Sequence, residues 1–249
     1  MNFLTLPKRT TGVRKFGITS IIDLGLTIDQ LTSILKDYSE LIDFAKIGIG
    51  TAYITPNLSE KIRLYQNHNV IPYFGGTLFE KCYHQNKLAE FVDFLHSQKV
   101  DWIEISCGTI DIPLEERINI IKNLKHEFNV LAEVGSKDSN KALSTEDWIN
   151  EMYSLLDAGS QYCITEGRQS GTAGIYQTNG QVRMDVFQEL TSNVNINRII
   201  FEAPTAKQQM FFINQIGANV NLGNVKPEDV LILEAERCGL RSETFFLED

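Results

Sequence analysis

The sequence predicts an α/β chain folded as a (β/α)8 TIM-type barrel, and three observations lead there. Short apolar runs rich in β-branched residues alternate with amphipathic segments, and eight such runs start at intervals of 20 to 36 residues along a chain of 249. That count and that length suit one barrel. Five of the runs also close at or near an acid: Asp23, Glu104, Glu133, Glu166 and Glu202. A strand buried on both faces has no use for a carboxylate unless a cavity receives it, and the C-terminal ends of parallel barrel strands converge on such a cavity.

Residues 1–17 read as an irregular basic lead-in, and residues 1–249 as one domain without a linker or a shift in composition. Strands are expected over Ile18–Asp23, Phe44–Gly48, Val70–Phe74, Trp102–Ser106, Val130–Val134, Tyr162–Glu166, Arg198–Glu202 and Ala218–Leu222. The first helix takes Ile28–Leu41 behind Thr27, a hydroxyl residue suited to cap it. The second, Ser59–Asn67, aligns Leu58, Ile62 and Tyr65, and the third, Lys87–Gln98, aligns Leu88, Phe91, Val92 and Leu95 at helical spacing. The fourth is Leu114–His126, with Ile118, Ile121 and Leu124 on one face. The fifth, Ser144–Ala158, opens S-T-E-D-W and stops before Gly159, a capping pattern at each end. Arg183–Thr191, Ala206–Ile216 and Val230–Cys238 complete the set, with Glu234, Glu236 and Arg237 read as a solvated helix face. An open doubly wound sheet is the alternative architecture, but no G-x-G-x-x-G follows the first strand.

Composition narrows the class. Apolar residues at 43% and charged residues at 22% describe a globule with a sizeable core. No apolar run reaches membrane-spanning length and the N-terminus carries no signal-peptide pattern, so a cytoplasmic protein is expected. A net charge of -9 without a basic run excludes a nucleic-acid surface. Cys82, Cys107, Cys163 and Cys238 are far apart and form no C-x-x-C, so reduced thiols are expected. His68, His84, His96 and His126 fall in expected helices or at their ends, away from the strand ends where a barrel keeps a catalytic base.

Asp23, Lys46, Glu104, Glu133, Glu166, Arg168, Glu202 and Asn221 are therefore expected to ring one mouth. Carboxylates crowded in a cavity of low dielectric repel one another and require cations. Lys46, Lys137 and Arg168 supply some, and Mg2+ is the natural remainder, because it takes carboxylate and water oxygens and bridges to an anionic substrate. The opposing reading pairs each acid with a basic rim neighbour as a structural ion pair. Three turns behind expected strands suit an anion through backbone N–H groups: Gly75, Gly76 and Thr77; Ser170, Gly171 and Thr172; and N-L-G-N, with Asn221 and Gly223. Arg168 suits a bidentate phosphate or carboxylate contact. Cys107, with no histidine near it in the pattern, reads as a neutral pocket-lining residue.

The strings K-I-G-I-G-T at Lys46, F-G-G-T-L-F-E at Phe74, W-I-E-I-S-C-G-T-I at Trp102, E-V-G-S-K-D at Glu133, T-E-G-R-Q-S-G-T-A-G-I at Thr165, F-E-A-P at Phe201 and N-V-N-L-G-N at Asn219 closely resemble the phosphosulfolactate synthase family. The resemblance implies a Mg2+-dependent lyase that adds sulfite to phosphoenolpyruvate, giving (R)-2-phospho-3-sulfolactate, a step of coenzyme M biosynthesis. Residue chemistry alone points to a metal and an anionic substrate, not to sulfite. With the resemblance, Glu104, Glu133 and Glu166 become the expected metal ligands, Lys46 a second cation and Lys137 the acid that protonates C2. Arg168, the Ser170–Thr172 loop and Asn221 would hold the phosphate, with Asp23, Glu202 and the glycine turns completing the substrate set. A homo-oligomer paired through outer helices would be in keeping with such barrels. Two other readings stay open: an isomerase or aldolase on a phosphorylated enolisable acid with Lys137 or Lys46 as base or Schiff-base amine, and a non-catalytic, stress-associated homologue acting through protein contacts. The ring of buried acids argues against the last. The chain departs from the family pattern at Ile49, where an aromatic is usual, at Cys107, where an acidic or polar residue is expected, and before Arg14, where a proline is missing.

Overall fold

Eight strands pair side by side in chain order, each parallel to the next, and the last returns to the first to close a barrel. A computed structural model describes residues 3–138 and 143–247. The strands are β1 (Thr19–Asp23), β2 (Phe44–Ile47), β3 (Ile71–Phe74), β4 (Trp102–Ile105), β5 (Asn129–Val134), β6 (Tyr162–Thr165), β7 (Ile199–Glu202) and β8 (Leu222–Val225). Around them run α1 (Ile28–Tyr38), α2 (Leu58–Asn67), α3 (Gly76–His84), α4 (Leu88–Gln98), α5 (Leu114–Leu124), α6 (Thr145–Ala158), α7 (Met184–Asn193), α8 (Ala206–Ile216) and α9 (Val230–Arg237). Among the described residues no helix is long and apolar enough to cross a membrane.

Local chemistry accounts for the helix ends. Thr27 caps α1 in a reciprocal box with Gln30, and Thr205 does the same for α8 with Gln208. Ser144 accepts the Asp147 N–H at the start of α6, and Gly159, at φ +131°, ends it.

Strand periodicity then divides the inward face into two layers. The pairs Phe44/Lys46, Trp102/Glu104, Leu131/Glu133, Ile164/Glu166 and Ile200/Glu202 each put an apolar residue in the lower half and a charged one two residues further on. Below, Ile18, Phe44, Tyr73, Leu131, Ile164 and Ile200 form a closed apolar plug, with Phe44 edge-on to Trp102 at 4.8 Å. The outward residues pack a larger core under the helices, where Phe201 stacks on Phe212 at 4.4 Å. Full burial of side chains of this size stabilises by roughly 1.5–3 kcal/mol each.

Three expectations need correction. The G-G-T segment opens α3, a helix of nine residues ending at His84, so β3 is followed by two helices. The last strand begins at Leu222, four residues later than expected, because the carbonyls of Ala218 and Val220 accept hydrogen bonds from Arg237 Nη1 instead of entering a ladder. Arg237 and Glu236 are not solvated at all: both are 0% exposed. Arg237 also donates to the Ile18 carbonyl, and the lead-in closes over the same end, where Arg9 pairs with Glu234 at 3.0 Å and Arg14 with Asp43 at 2.8 Å.

Candidate active site

Lys46 reaches the upper layer from β2 and gathers three acids from three other strands. Its Nζ lies 3.1 Å from Glu104 Oε2, 3.1 Å from Glu202 Oε1 and 3.8 Å from Glu133 Oε2. Lys137, on the loop leaving β5, approaches from the other side, 3.4 Å from Glu166 Oε2 and 3.9 Å from Glu133 Oε1. Glu133 thus stands between two ammonium groups. The other oxygens of its neighbours accept backbone N–H groups: Glu104 from Gly76 at 2.8 Å, Glu202 from Gly167 at 2.9 Å and Glu166 from Arg168 at 2.5 Å. Glu104 Oε2, Glu133 Oε1 and Glu166 Oε2 are buried and have no partner beyond the two ammonium groups.

This crowding separates the proton affinities. Burial pushes Glu104 up to about 7 against the pull of Lys46, with Glu133 and Glu202 adding to the rise. Burial, then Glu133 and Glu202, hold Glu166 well above the carboxylate range. Burial also opposes the charge of Glu133, yet Lys137 and Lys46 draw it below its ordinary value. For both lysines burial works against the charge and is outweighed, by Glu104 and Glu202 at Lys46 and by Glu133 and Glu166 at Lys137. The layer therefore holds an ionised Glu133 between two ammonium groups, flanked by two acids that give up their protons reluctantly.

The surrounding loops are built to approach it. A Cβ at Gly108 would fall 2.9 Å from Glu166 Oε2 and 3.0 Å from Glu133 Oε1, so only glycine lets that loop cross the acids. Glu80, buried on α3, fastens the same loop by accepting the Ser106 hydroxyl at 2.6 Å and the N–H groups of Thr109 and Ile110. Beyond β6 the chain folds back on Glu166 through Gly174, at φ +62°, where a side chain would collide with the Glu166 carbonyl.

A cavity of about 380 Å3 opens above this layer. Lys46, Glu104, Glu133, Lys137, Glu166 and Glu202 line it, and so do Gly76, Thr77, Arg168 and Ser170. The Arg168 side chain is exposed, and no hydrogen bond or ion pair engages its guanidinium among the described residues.

Other expected site residues stand elsewhere. Asp23 points to the outer face of β1, where Lys61 at 2.9 Å, Tyr65 OH at 2.9 Å and the N–H groups of Gly25 and Leu26 use its lone pairs; Ile22 faces the cavity in its place. Asn221 precedes β8 and clasps the opposite end of the barrel, accepting the Ile18 N–H and donating to the Asn197 and Ile199 carbonyls. Gly223 is inside β8 against Ile200. The Gly75 N–H bonds to Ile47, so neither it nor the Gly76 N–H is free for an anion. Gly171 packs on Gln208, and Thr172 lines a separate hollow. Cys107 lines a hollow behind the cavity wall beside Arg117, its thiol pushed up to about 12 by burial. Thr109 and Gln169 line the cavity without having been anticipated as site residues, although both lie within the quoted strings; Ile49, a departure from the family pattern, and Asn224, the last residue of the N-L-G-N turn, line it too.

Among the described residues, no three His, Cys, Asp or Glu side chains form a ready metal-binding group. The sequence profile of (2R)-phospho-3-sulfolactate synthase (ComA) matches residues 7–243. A phosphosulfolactate synthase from Bacillus subtilis is 42% identical over 247 residues, 98% of each chain, and one from Methanocaldococcus jannaschii is 41% identical over 92% of this chain and 94% of that one. Among solved structures, 3-hexulose-6-phosphate synthase from Salmonella typhimurium shares the barrel at a TM-score of 0.56 and 11% identity, over 88% of this chain and 98% of that one; at such identity the likeness concerns the fold alone. With near full-length identity of this order to relatives from both a bacterium and an archaeon, the chain belongs to the phosphosulfolactate synthase family.

Proposed function

We propose that this protein is a carbon–sulfur lyase that adds sulfite to phosphoenolpyruvate to give (R)-2-phospho-3-sulfolactate, with Mg2+ as cofactor. The observation that carries the reading is Glu133 held between Lys46 and Lys137 beneath the free guanidinium of Arg168. Such a site accepts an anion above and stabilises negative charge that develops beside it.

The donor set fits Mg2+. Glu104 Oε2, Glu133 Oε1 and Glu166 Oε2 are buried with no partner but a lysine ammonium, and four acids share two lysines in the layer, so a divalent cation would find carboxylate oxygens to take up. Glu133 and Glu166 would hold it, with Glu104 beside them, and water and substrate oxygens would complete the sphere, since Mg2+ commonly keeps only one or two carboxylates. When bound, the ion supplies positive charge beside the substrate carboxylate.

Sulfite attacks C3 through sulfur, and the C2–C3 π pair moves onto C2 and its carboxylate. Lys46 offers a fixed ammonium to that charge. Lys137 then gives its proton to one face of C2 and regains one from water, which its side chain, 26% exposed, can reach. Arg168 and Ser170 hold the phosphate. This reading takes the substrates to be free small anions in the cytoplasm.

The test is 31P NMR of phosphoenolpyruvate with sulfite and Mg2+. A new phosphate ester should form only when sulfite is present and should disappear when EDTA removes the metal. Conversion of phosphoenolpyruvate without sulfite, or equal turnover in EDTA, would refute it.

A further inference from the structure

A second cavity, of about 660 Å3, adjoins the first and shares Ile22, Gln169, Ser170 and Asn224 with it. It lies on the β1 and β8 side, and the acids of the charged layer do not reach it; its outer rim carries Lys226 and the exposed Glu228. Two features at the junction have no structural explanation. Asn224 is 5% exposed and held at φ +54°, and its amide makes no hydrogen bond; Oδ1 is buried and unpartnered. The Lys226 side chain, like that of Arg168, makes no hydrogen bond or ion pair among the described residues, so two unengaged cations flank the shared neutral groups.

Charge decides which part of an enol phosphate belongs there. The deep layer, walled by Glu104, Glu133, Glu166 and Glu202, has its lysines already engaged by those acids, whereas the junction lies between two cations, Arg168 and Lys226, and carries the unbonded amide of Asn224, so the more highly charged phosphate belongs there. An Asn amide can present its NH2 to a phosphate oxygen once it turns, because O and N occupy equivalent positions. We infer that the junction of the two cavities is the phosphate subsite, with Asn224 and Lys226 binding the phosphate opposite Arg168, so that the carboxylate and C2 point into the charged layer. This rests on the reading of the substrate as an enol phosphate, and it adds two residues to that reading.

Inorganic phosphate serves as the probe, because its binding needs no turnover. The 31P line of phosphate would be titrated against the whole protein and against Lys226→Gln, Asn224→Asp and Asn224→Gly, with Lys122→Gln on the surface of α5 as control. Glycine accepts the positive φ, so Asn224→Gly removes the amide without backbone strain, and Asn224→Asp keeps the shape while adding a repelling charge. Phosphate should bind the wild type and the control alike and should weaken about tenfold in Lys226→Gln, with a larger loss in Asn224→Asp. In turnover, the KM for phosphoenolpyruvate should rise by the same factor while the KM for sulfite stays put. Unchanged phosphate binding in all three variants, or no binding by the wild type at millimolar phosphate, would overturn the subsite. Turnover with an unmoved phosphoenolpyruvate KM would sink the subsite and leave the reaction standing. Variant-sensitive phosphate binding without any sulfite-dependent turnover would do the reverse.

Discussion

At the N-terminal end of the barrel Arg237 is fully buried and gives hydrogen bonds to the carbonyls of Ala218, Val220 and Ile18; at the C-terminal end Lys46 is nearly as buried and faces only acids. The lower charges are largely spent, although Arg237 Nε and Glu236 Oε2 are buried without a hydrogen-bond partner. Arg9 and Arg14 are each paired with a carboxylate, and Asp43 also accepts the Thr19 N–H. The upper charges are less fully satisfied: Glu104 Oε2, Glu133 Oε1 and Glu166 Oε2 are met by lysine ammonium groups alone, and the Arg168 guanidinium lines the same cavity unengaged. A buried polar group without a partner costs about 1–3 kcal/mol, so a protein keeps several together only where a ligand completes them. Backbone strain follows the same division. Of the six non-glycine residues at positive φ among the described residues, Asn69, Asn86 and Lys99 follow α2, α3 and α4, where such residues end helices, while Ile49, Arg168 and Asn224 all line the upper cavity.

The sharpest way to break this contrast is to exchange the effects of the two ends. Arg237→Leu strands buried carbonyls and should cost about 3 kcal/mol or more of stability, read from the urea midpoint, while the protein that remains folded keeps its turnover number. Lys137→Ala should do the opposite: a loss of about a thousandfold in turnover with a urea midpoint close to wild type. If both variants lost stability alike, the upper layer would be structural and the comparison would fail.

A smaller effect should appear with pH. The folded value of Glu104, about 7, lies above its ordinary 4.5, so the folded state binds that proton more tightly than the unfolded chain does. The contribution of Glu104 to stability should therefore fall as pH rises from about 4.5 to about 7 and level off above. Glu104→Gln removes that contribution and should make the slope shallower in urea midpoints taken across the window. A residual slope of the same sign should persist, because Glu166 is also raised. An unchanged slope would mean that Glu104 titrates normally.

The smallest expected effect concerns strain at the rim. Ile49 holds φ +58°, a conformation β-branched residues strongly avoid, so Ile49→Gly should stabilise by about 1 kcal/mol in the same urea assay.

Particular elements show how far the sequence could be read. The inward i, i+2 pairs, such as Phe44/Lys46 and Leu131/Glu133, are written in the chain, since period-two alternation makes a strand's face a property of residue order. The alternation is consistent with the expected ring of charged residues and with seven of the eight expected strands, which match to within a residue. The last strand was misjudged because A-N-V-N-L has the same alternation, and the bonds that displace it come from Arg237, 17 and 19 residues away. That shift carried Asn221 to the wrong end of the barrel and hid Asn224. Asp23 was misplaced by a single position, since Ile22 and not Asp23 has the inward parity. The G-G-T helix was read as a turn because two glycines mask a nine-residue helix whose first N–H groups are used by Ile47 and Glu104.

By itself, then, the sequence determined the barrel, the ring of acids and lysines and the family, because periodicity and local motif are properties of neighbouring residues. Only the tertiary structure decided which acids share a cation, which are spent outside the cavity, and that Arg168 and Asn224 remain unpartnered. Those outcomes depend on distances between side chains up to 156 residues apart, as between Lys46 and Glu202, and hydrogen bonding and Coulomb attraction are settled by separations of a few ångströms that residue order does not contain.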